Sequence, residues 1–404
     1  MGYPELHGDV VTDDDTARRR LAGAAVRDDR TVQITLRAPQ ADFLRVFTSP
    51  LTAPVSEKAA EADPSGFARD PVCVGPYRLE KPYAPGGTSL MLVRSRSYNG
   101  VDASLTEGGR SYADAVEFRF FPDAEAAAAA QEIGEVDAAP ARPAGSLGLK
   151  TRPGPDVEYI GLPTTSAGFR EPAVRRALSL ALDREALVQV VFPGTRFAAD
   201  GFLPGTAPAD DRCAASPVRA DVGAARSLLA EVGADLAQMR VPLYFNDELR
   251  NRALVEEVAR QWRESVGLVA TPTPLSFADY VARGEGRPGF DGPFRFSWSI
   301  PFADLDGYLF PLFTTDRIGR DNFGRFSEPA IDEAIIRGAR RAQDPDDRSL
   351  AYKRVTELLC EAMPMIPLTT SSSRWSVADH VGTATGSYID SATGQPLLRE
   401  LYLR

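Results

Sequence analysis

Apolar residues change their period partway along this chain, and that change limits the folds open to it. Val32, Ile34 and Leu36 alternate with polar neighbours, as do Leu90 and Leu92, and again Val116, Phe118 and Phe120. Alternation at every second residue marks a strand with one face buried. Past Pro172 the spacing becomes helical. Val174, Ala177, Leu178, Ala181 and Leu182 fall on one face, and the proline sits in the first turn, where no backbone N–H is needed. Strands dominate the first half and helices with short strands the second, which predicts an α/β or α+β architecture. The chain has 404 residues, more than one typical domain of ~100–200 residues, so two or more lobes are expected.

Local signals refine this outline. The alanine run from Ala124 to Ala130 predicts a helix that turns at Gly134. Gly233 and Gly267 stop two further helices, one carrying Ala225, Leu228 and Val232, the other Leu254, Val258 and Trp262. Ser276 with Asp279 forms a capping-box pattern, Pro329 opens a helix with Ile331, Ile335 and Ala339 on one face, and Asp344-Pro345 caps the last long helix. Phe294 to Trp298 reads as a strand. The stretch from Pro140 to Pro155, rich in Pro and Gly, reads as a loop.

Composition removes several function classes. A formal net charge of −10 argues against a nucleic-acid partner, because phosphate binding needs clustered Lys and Arg. Three cysteines, Cys73, Cys213 and Cys360, give no disulfide framework and no metal signature, although one pair could bond. No apolar run approaches the ~18 residues of a membrane span. Met1 to Arg20 is polar and acidic, unlike a signal peptide, so either the chain is cytoplasmic or its export segment is not part of it. His7 and His380 are the only histidines available as a base. Gly284, Gly286 and Gly289 fit a dinucleotide spacing, but they follow a helix and precede a strand, the reverse of what that chemistry needs. Ser146 half-matches a nucleophile elbow inside a Pro-rich loop, and Asp13 to Asp15 lack the spacing of a calcium loop. No catalytic constellation, cofactor motif or metal site emerges.

Read in chain order, short segments add up to more than they do singly. Asp28-Asp29-Arg30-Thr31-Val32 is followed by Val74-Gly75-Pro76-Tyr77, Arg96-Ser97-Tyr98 and Gly134-Glu135-Val136-Asp137. Then come Val174 to Glu185 (VRRALSLALDRE), Gly201-Phe202-Leu203-Pro204, Asn322 to Asp332 and Pro364-Met365-Ile366-Pro367-Leu368. This order resembles the family 5 extracellular solute-binding proteins of bacterial ABC importers, the oligopeptide and dipeptide binders, across nearly the whole chain.

The resemblance implies a bilobal α/β fold of the periplasmic-binding-protein type (type II), with mixed sheets flanked by helices and a small third domain largely missing. Residues 1–52 would be a remnant of that third domain, 53–157 with 366–404 the first lobe, and 158–365 the second. The crossings near Glu158–Thr164 and Ile366–Trp375 would form the hinge. Family members usually carry more chain before the equivalent of Thr31, so the expectation is a fragment or a reduced form. The implied function is capture of a small organic solute, peptide-like or otherwise, for delivery to an ABC permease outside the cytoplasm, by a monomer without enzymatic activity. A sensor or carrier on the same scaffold is the alternative, and a hydrolase a more distant one. Peptide-binding members carry a pattern like W-x-x-D-Y-x-[DE]-P, whose first Asp takes the α-ammonium group. Trp298, Phe302 and Asp304 match it, but Pro301 replaces that Asp. Candidate ligand-binding residues are therefore Trp298, Phe302, Asp304 and Asp306, with Ser372, Arg374 and Trp375 from beside the hinge. For Trp298, stacking on a ligand and packing in the lobe fit the sequence equally.

Overall fold

Two long strands form the spine of the structure, a computed structural model that describes residues 23–49, 52–98, 113–140, 150–205, 211–286, 288–300, 304–384, 388 and 396–404. Strands β1 (Ala24–Asp28) and β2 (Thr31–Ile34) form a hairpin, and β3 (Tyr77–Leu79), β4 (Ser89–Arg94) and β5 (Ala115–Arg119) an antiparallel sheet. The large sheet contains β6 (Ala138–Pro140), β7 (Lys150–Gly161), β8 (Arg196–Ala198), β9 (Arg240–Asn246), β10 (Val269–Leu275), β11 (Phe294–Ser299) and β12 (Met365–Val377). Its order is β10-β9-β11-β7-β12-β6, with β8 also on β12. A last pair, β13 (Val381–Thr383) and β14 (Leu401–Leu403), follows. Helices Pro172–Leu180, Arg184–Val191, Val222–Glu231, Leu249–Val266 and Pro345–Ala362 accompany the large sheet, giving the mixed α/β fold.

The spine is the antiparallel pair β7 and β12, paired from Met365 opposite Gly161 to Trp375 opposite Lys150, with register shifts between Pro367 and Thr369 and between Thr370 and Ser372. The two expected crossings thus lie side by side as one ribbon. β9 and β10 run parallel, which requires a crossover, and the helix Leu249–Val266 supplies it. Its buried stripe includes Leu254, Val258 and Trp262, and Trp262 Nε1 donates to the Leu178 carbonyl at 2.9 Å. Burying ~200 Å² of indole at ~25 cal/mol per Å² contributes roughly 5 kcal/mol before chain entropy. Gly267 ends this helix at φ 79°, where glycine alone is unstrained.

Arg175 and Arg184, inside the segment that resembles the family helix, are buried and clamp carbonyl groups. Arg184 donates to Pro367 O at 2.7 Å, Pro217 O at 2.9 Å and Ser179 Oγ at 2.7 Å. Burial pulls its pKa down to about 9. Arg175 bonds Ala362 O at 2.9 Å and Phe169 O at 2.8 Å. These arginines tie the helices to β12 and to the helix Pro345–Ala362.

Three expectations need correction. The β1–β2 hairpin is exposed on both faces, because a two-stranded ribbon alone buries too little. Val32 is 63% exposed. The Pro-rich stretch ends as strand, since β7 starts at Lys150. Pro153 and Pro155 are tolerated there because β11 pairs with β7 only from Asp156 onward. On the other side the register with β12 shifts between Thr370 and Ser372. Finally, Cys213 and Cys360 are joined in a disulfide with Cα atoms 5.5 Å apart, leaving Cys73 free and exposed.

Candidate functional site

At the end of β11, where Ser299 lies opposite Asp156 of β7, side chains of β7, β8 and β12 form a polar cluster. Asp156 Oδ2 meets Arg196 Nη2 at 2.5 Å, and the Ser371 hydroxyl donates to Asp156 Oδ1. Arg196 Nε donates to Thr369 Oγ1 at 2.6 Å, and Thr370 Oγ1 donates to Asp156 O at 2.8 Å. The Arg196 guanidinium also lies 5.5 Å from the centroid of the Phe192 ring. Register places the parts: β8 lays Arg196 opposite Ser371 on β12, and Thr369 opposite Ala198. A Cβ at Gly154 would displace the Ser371 hydroxyl from its place beside Asp156. The ion pair is mostly buried, yet every partner answers another, which is the condition for such a pair to be tolerated.

The candidates from the sequence fall around this cluster to different degrees. Trp298 is level with Val157 on β7, which is in turn opposite Thr370. It is half-buried, stacks on Phe296 with centroids 5.9 Å apart, and donates from Nε1 to Gly307 O at 3.2 Å. Ser372 lies one residue beyond the cluster, its hydroxyl donating to Thr195 O at 3.0 Å. Trp375 is half-buried near the far end of β12, opposite Pro140 and Lys150. Arg374 is placed by backbone register opposite Thr151, but its side chain lies outside the described residues, as do Pro301, Phe302, His7, Asp13 to Asp15 and Ser146.

Asp304 and Asp306 are the two candidate carboxylates from the sequence. Both are buried. Asp304 binds Arg348, Arg45 at 3.2 Å and the Tyr352 hydroxyl at 2.6 Å. Asp306 faces Arg340 at 2.9 Å. In this conformation both are committed to internal partners. Sequence reasoning missed Asp156 and Arg196 because one directly follows the Pro-rich stretch and the other sits on a three-residue strand. Recesses of about 630 and 400 Å³ occur around Phe67, Tyr83, Tyr77 and Phe120, and share no residue with the crossing. Among the described residues, no group of His, Cys, Asp or Glu could hold a metal ion, and no helix is long and apolar enough to cross a membrane.

The paired strands β7 and β12, with β8 and β11 beside them, thus bring polar and aromatic side chains into neighbouring register in one large sheet. The profile of bacterial extracellular solute-binding proteins, family 5, matches residues 10–320, and the chain belongs to this family. The glutathione-binding protein GsiB of Salmonella choleraesuis (strain SC-B67) is 26% identical over 390 residues, covering 93% of this chain and 73% of that protein. Among solved structures, the clavulanic acid biosynthesis oligopeptide binding protein 2 superposes with a TM-score of 0.78 at 22% identity, over 95% of this chain and 72% of that one. DppA from Helicobacter pylori, solved with the peptide STSA, gives a TM-score of 0.72 at 19% identity, over all of this chain (100%) and 76% of that one. These likenesses establish the fold.

Proposed function

We propose that this protein captures a short peptide-like solute at the crossing of β7 and β12 and presents it to an ABC permease outside the cytoplasm, binding without turnover. Residues 53–157 with 366–404 would form one lobe and 158–365 the other, closing over the solute as a monomer. The observation that carries this reading is the ribbon itself. It is the one element shared by both proposed lobes, and it brings the Asp156–Arg196 pair, the hydroxyls of Thr369 to Ser372 and Trp298 into neighbouring register. Ligand sites favour such domain junctions. Family membership supports the class of activity, and the names of the relatives, which speak of glutathione and oligopeptides, support the class of solute.

Pro301 offers neither a carboxylate nor a backbone N–H, and Asp304 and Asp306 are internally paired. Recognition of a free α-ammonium group by these residues is therefore not part of the proposal. Losing a charge-assisted hydrogen bond of ~1.5–3 kcal/mol removes roughly 10–150-fold of preference. Glutathione, a short tetrapeptide and their N-acetylated forms should be titrated calorimetrically, with the mixtures then checked for products. At least one compound should bind, its two forms should differ by less than about threefold, and nothing should be cleaved. A free-amine preference above about tenfold, or turnover abolished by a substitution at the crossing, would overturn the corresponding part.

A further inference from the structure

The short helical turn Phe43–Thr48 and the residues before it belong to the start of the chain, yet they lie against three late elements. These are the start of the helix Asp306–Phe313, the π-helical turn Ala334–Ala339 with Arg340 behind it, and the first turns of Pro345–Ala362. Ala41 N donates to Arg340 O at 2.8 Å. Gln40 Nε2 reaches Asp306 Oδ2 at 3.4 Å, and Arg45 reaches Asp304 at 3.2 Å. From the other side, Arg348 and Tyr352 bind Asp304, and Arg340 faces Asp306. Asp304 Oδ1 also accepts the Asp306 backbone N–H at 3.0 Å.

Asp42 sits in the same junction, 2% exposed, and neither of its carboxylate oxygens has a hydrogen-bond partner. Asp306 Oδ1 likewise accepts no hydrogen bond of good geometry. An ionised carboxylate without a hydrogen bond of good geometry, buried beside two other carboxylates, runs against the rule that buried charge is paired and hydrogen-bonded. A neutral carboxyl group resolves the conflict, since it removes one like charge and supplies a proton to share. We propose that this junction is a proton-binding site, in which protons held by Asp42 and Asp306 latch the segment Gln40–Thr48 onto the late helices and whose deprotonation loosens that segment.

The electrostatics of every facing element agree. Asp42 is raised above the ordinary aspartate range by burial first and by Asp304 second, with Gln40 and Arg348 opposing. Burial pushes Asp306 to about 7, reinforced by Asp42 and Asp304 and opposed by Arg340 and Arg348. Burial and the same three carboxylates push the Tyr352 hydroxyl well above its ordinary value. Arg45, half exposed, is the remaining cation. A carboxyl group whose pKa is higher in the docked form holds a proton there that the released form loses at a lower pH, for Asp42 toward the free-aspartate value of 3.8. Docking is therefore strongest at low pH, weakens as pH rises through about 4 to 7, and is flat above that window. Each unit of pKa difference is a factor of ten in the docking equilibrium.

Hydrogen exchange of the whole chain, corrected for the intrinsic pH dependence of exchange, tests this at about pH 5 and pH 8. The amides of Ala41 and Arg45, which bond Arg340 O and Asp42 O, should lose at least about tenfold protection at the higher pH. The helix Leu249–Val266 should lose none. Asp42→Asn and Asp306→Asn should each shrink the change. Equal protection of the wild-type segment at both pH values would overturn the proposal, whatever the variants do. So would a parallel loss in the helix Leu249–Val266, which would signal unfolding of the whole molecule.

Discussion

At Gly161 a hydrogen is the largest side chain the packing admits, because an added Cβ would drive into the ring of Phe294, the residue opposite it on β11. That ring is fully buried and stacked on Phe290 with centroids 4.5 Å apart, so it has nowhere to retreat. Gly161→Ala should therefore destabilise the protein by about 1–3 kcal/mol, the usual cost of overpacking. The small gain expected from restricting the unfolded chain, ~0.4–1 kcal/mol, is outweighed. A urea titration that finds the variant equal to or more stable than the parent would refute the reading. The same kind of constraint explains what single residues hide from sequence inspection. Asp42 and Asp304 carry no local sign that they meet, and Arg184 looks like a surface charge on a helix. Asp42 meets Asp304, and Arg184 meets Pro367, across more than a hundred residues of sequence.

Elements were more legible than contacts. The N-cap half of the capping-box pattern at Ser276 forms, Asp279 N donating to Ser276 Oγ at 3.1 Å, while the Asp279 carboxylate accepts from the Ser276 hydroxyl at 2.7 Å rather than from its backbone N–H. Asp344 caps Pro345–Ala362 by accepting from Asp346 N and Asp347 N, and Ile331, Ile335 and Ala339 are all buried. Periodicity and capping are local physics, so a single chain reports them. Strand β7 was illegible because its pairing with β12 overrides the loop preference of its prolines and glycine. Cysteine spacing likewise carries no word on which sulfurs meet. The disulfide spans 147 positions in sequence and fastens the Cys213 turn to the helix Pro345–Ala362. A constraint across so long a loop should contribute about 2–5 kcal/mol. Replacing both cysteines by serine should lower the unfolding free energy by that amount while leaving the far-ultraviolet dichroism unchanged. A loss below ~0.5 kcal/mol would show that the bond adds little to stability.

For the molecule as a whole, the α/β class follows from the change of apolar period, whereas the membership of the large sheet does not. Nothing in the alternation of Val116, Phe118 and Phe120 says that β5 joins a separate three-stranded sheet while β6, three residues of Ala and Pro, joins the large one. The main core is equally one-sided. Its contiguous buried cluster runs from Val157 to Leu368, while among the described residues before it the buried apolar side chains are Ala127, Ala128, Ala130 and Ala139. The candidate site was legible only in part. Trp298 and Ser372 lie beside the crossing, but Asp156 and Arg196 acquire meaning only when β8 is laid against β12.

The pairing of Gly161 with Met365 makes the intervening chain a cassette whose entry and exit are neighbours. A segment of that kind can be excised or exchanged between scaffolds by cutting one ribbon, since only two strand ends need to be rejoined. The cassette also carries its own core and its own disulfide, so residues 156–371 expressed alone should fold cooperatively, with the Cys213–Cys360 bond formed and Trp262 protected from quenchers. A fragment that instead behaves as a molten globule, with near-ultraviolet dichroism lost, would show that the ribbon's outer half is needed to hold the cassette closed.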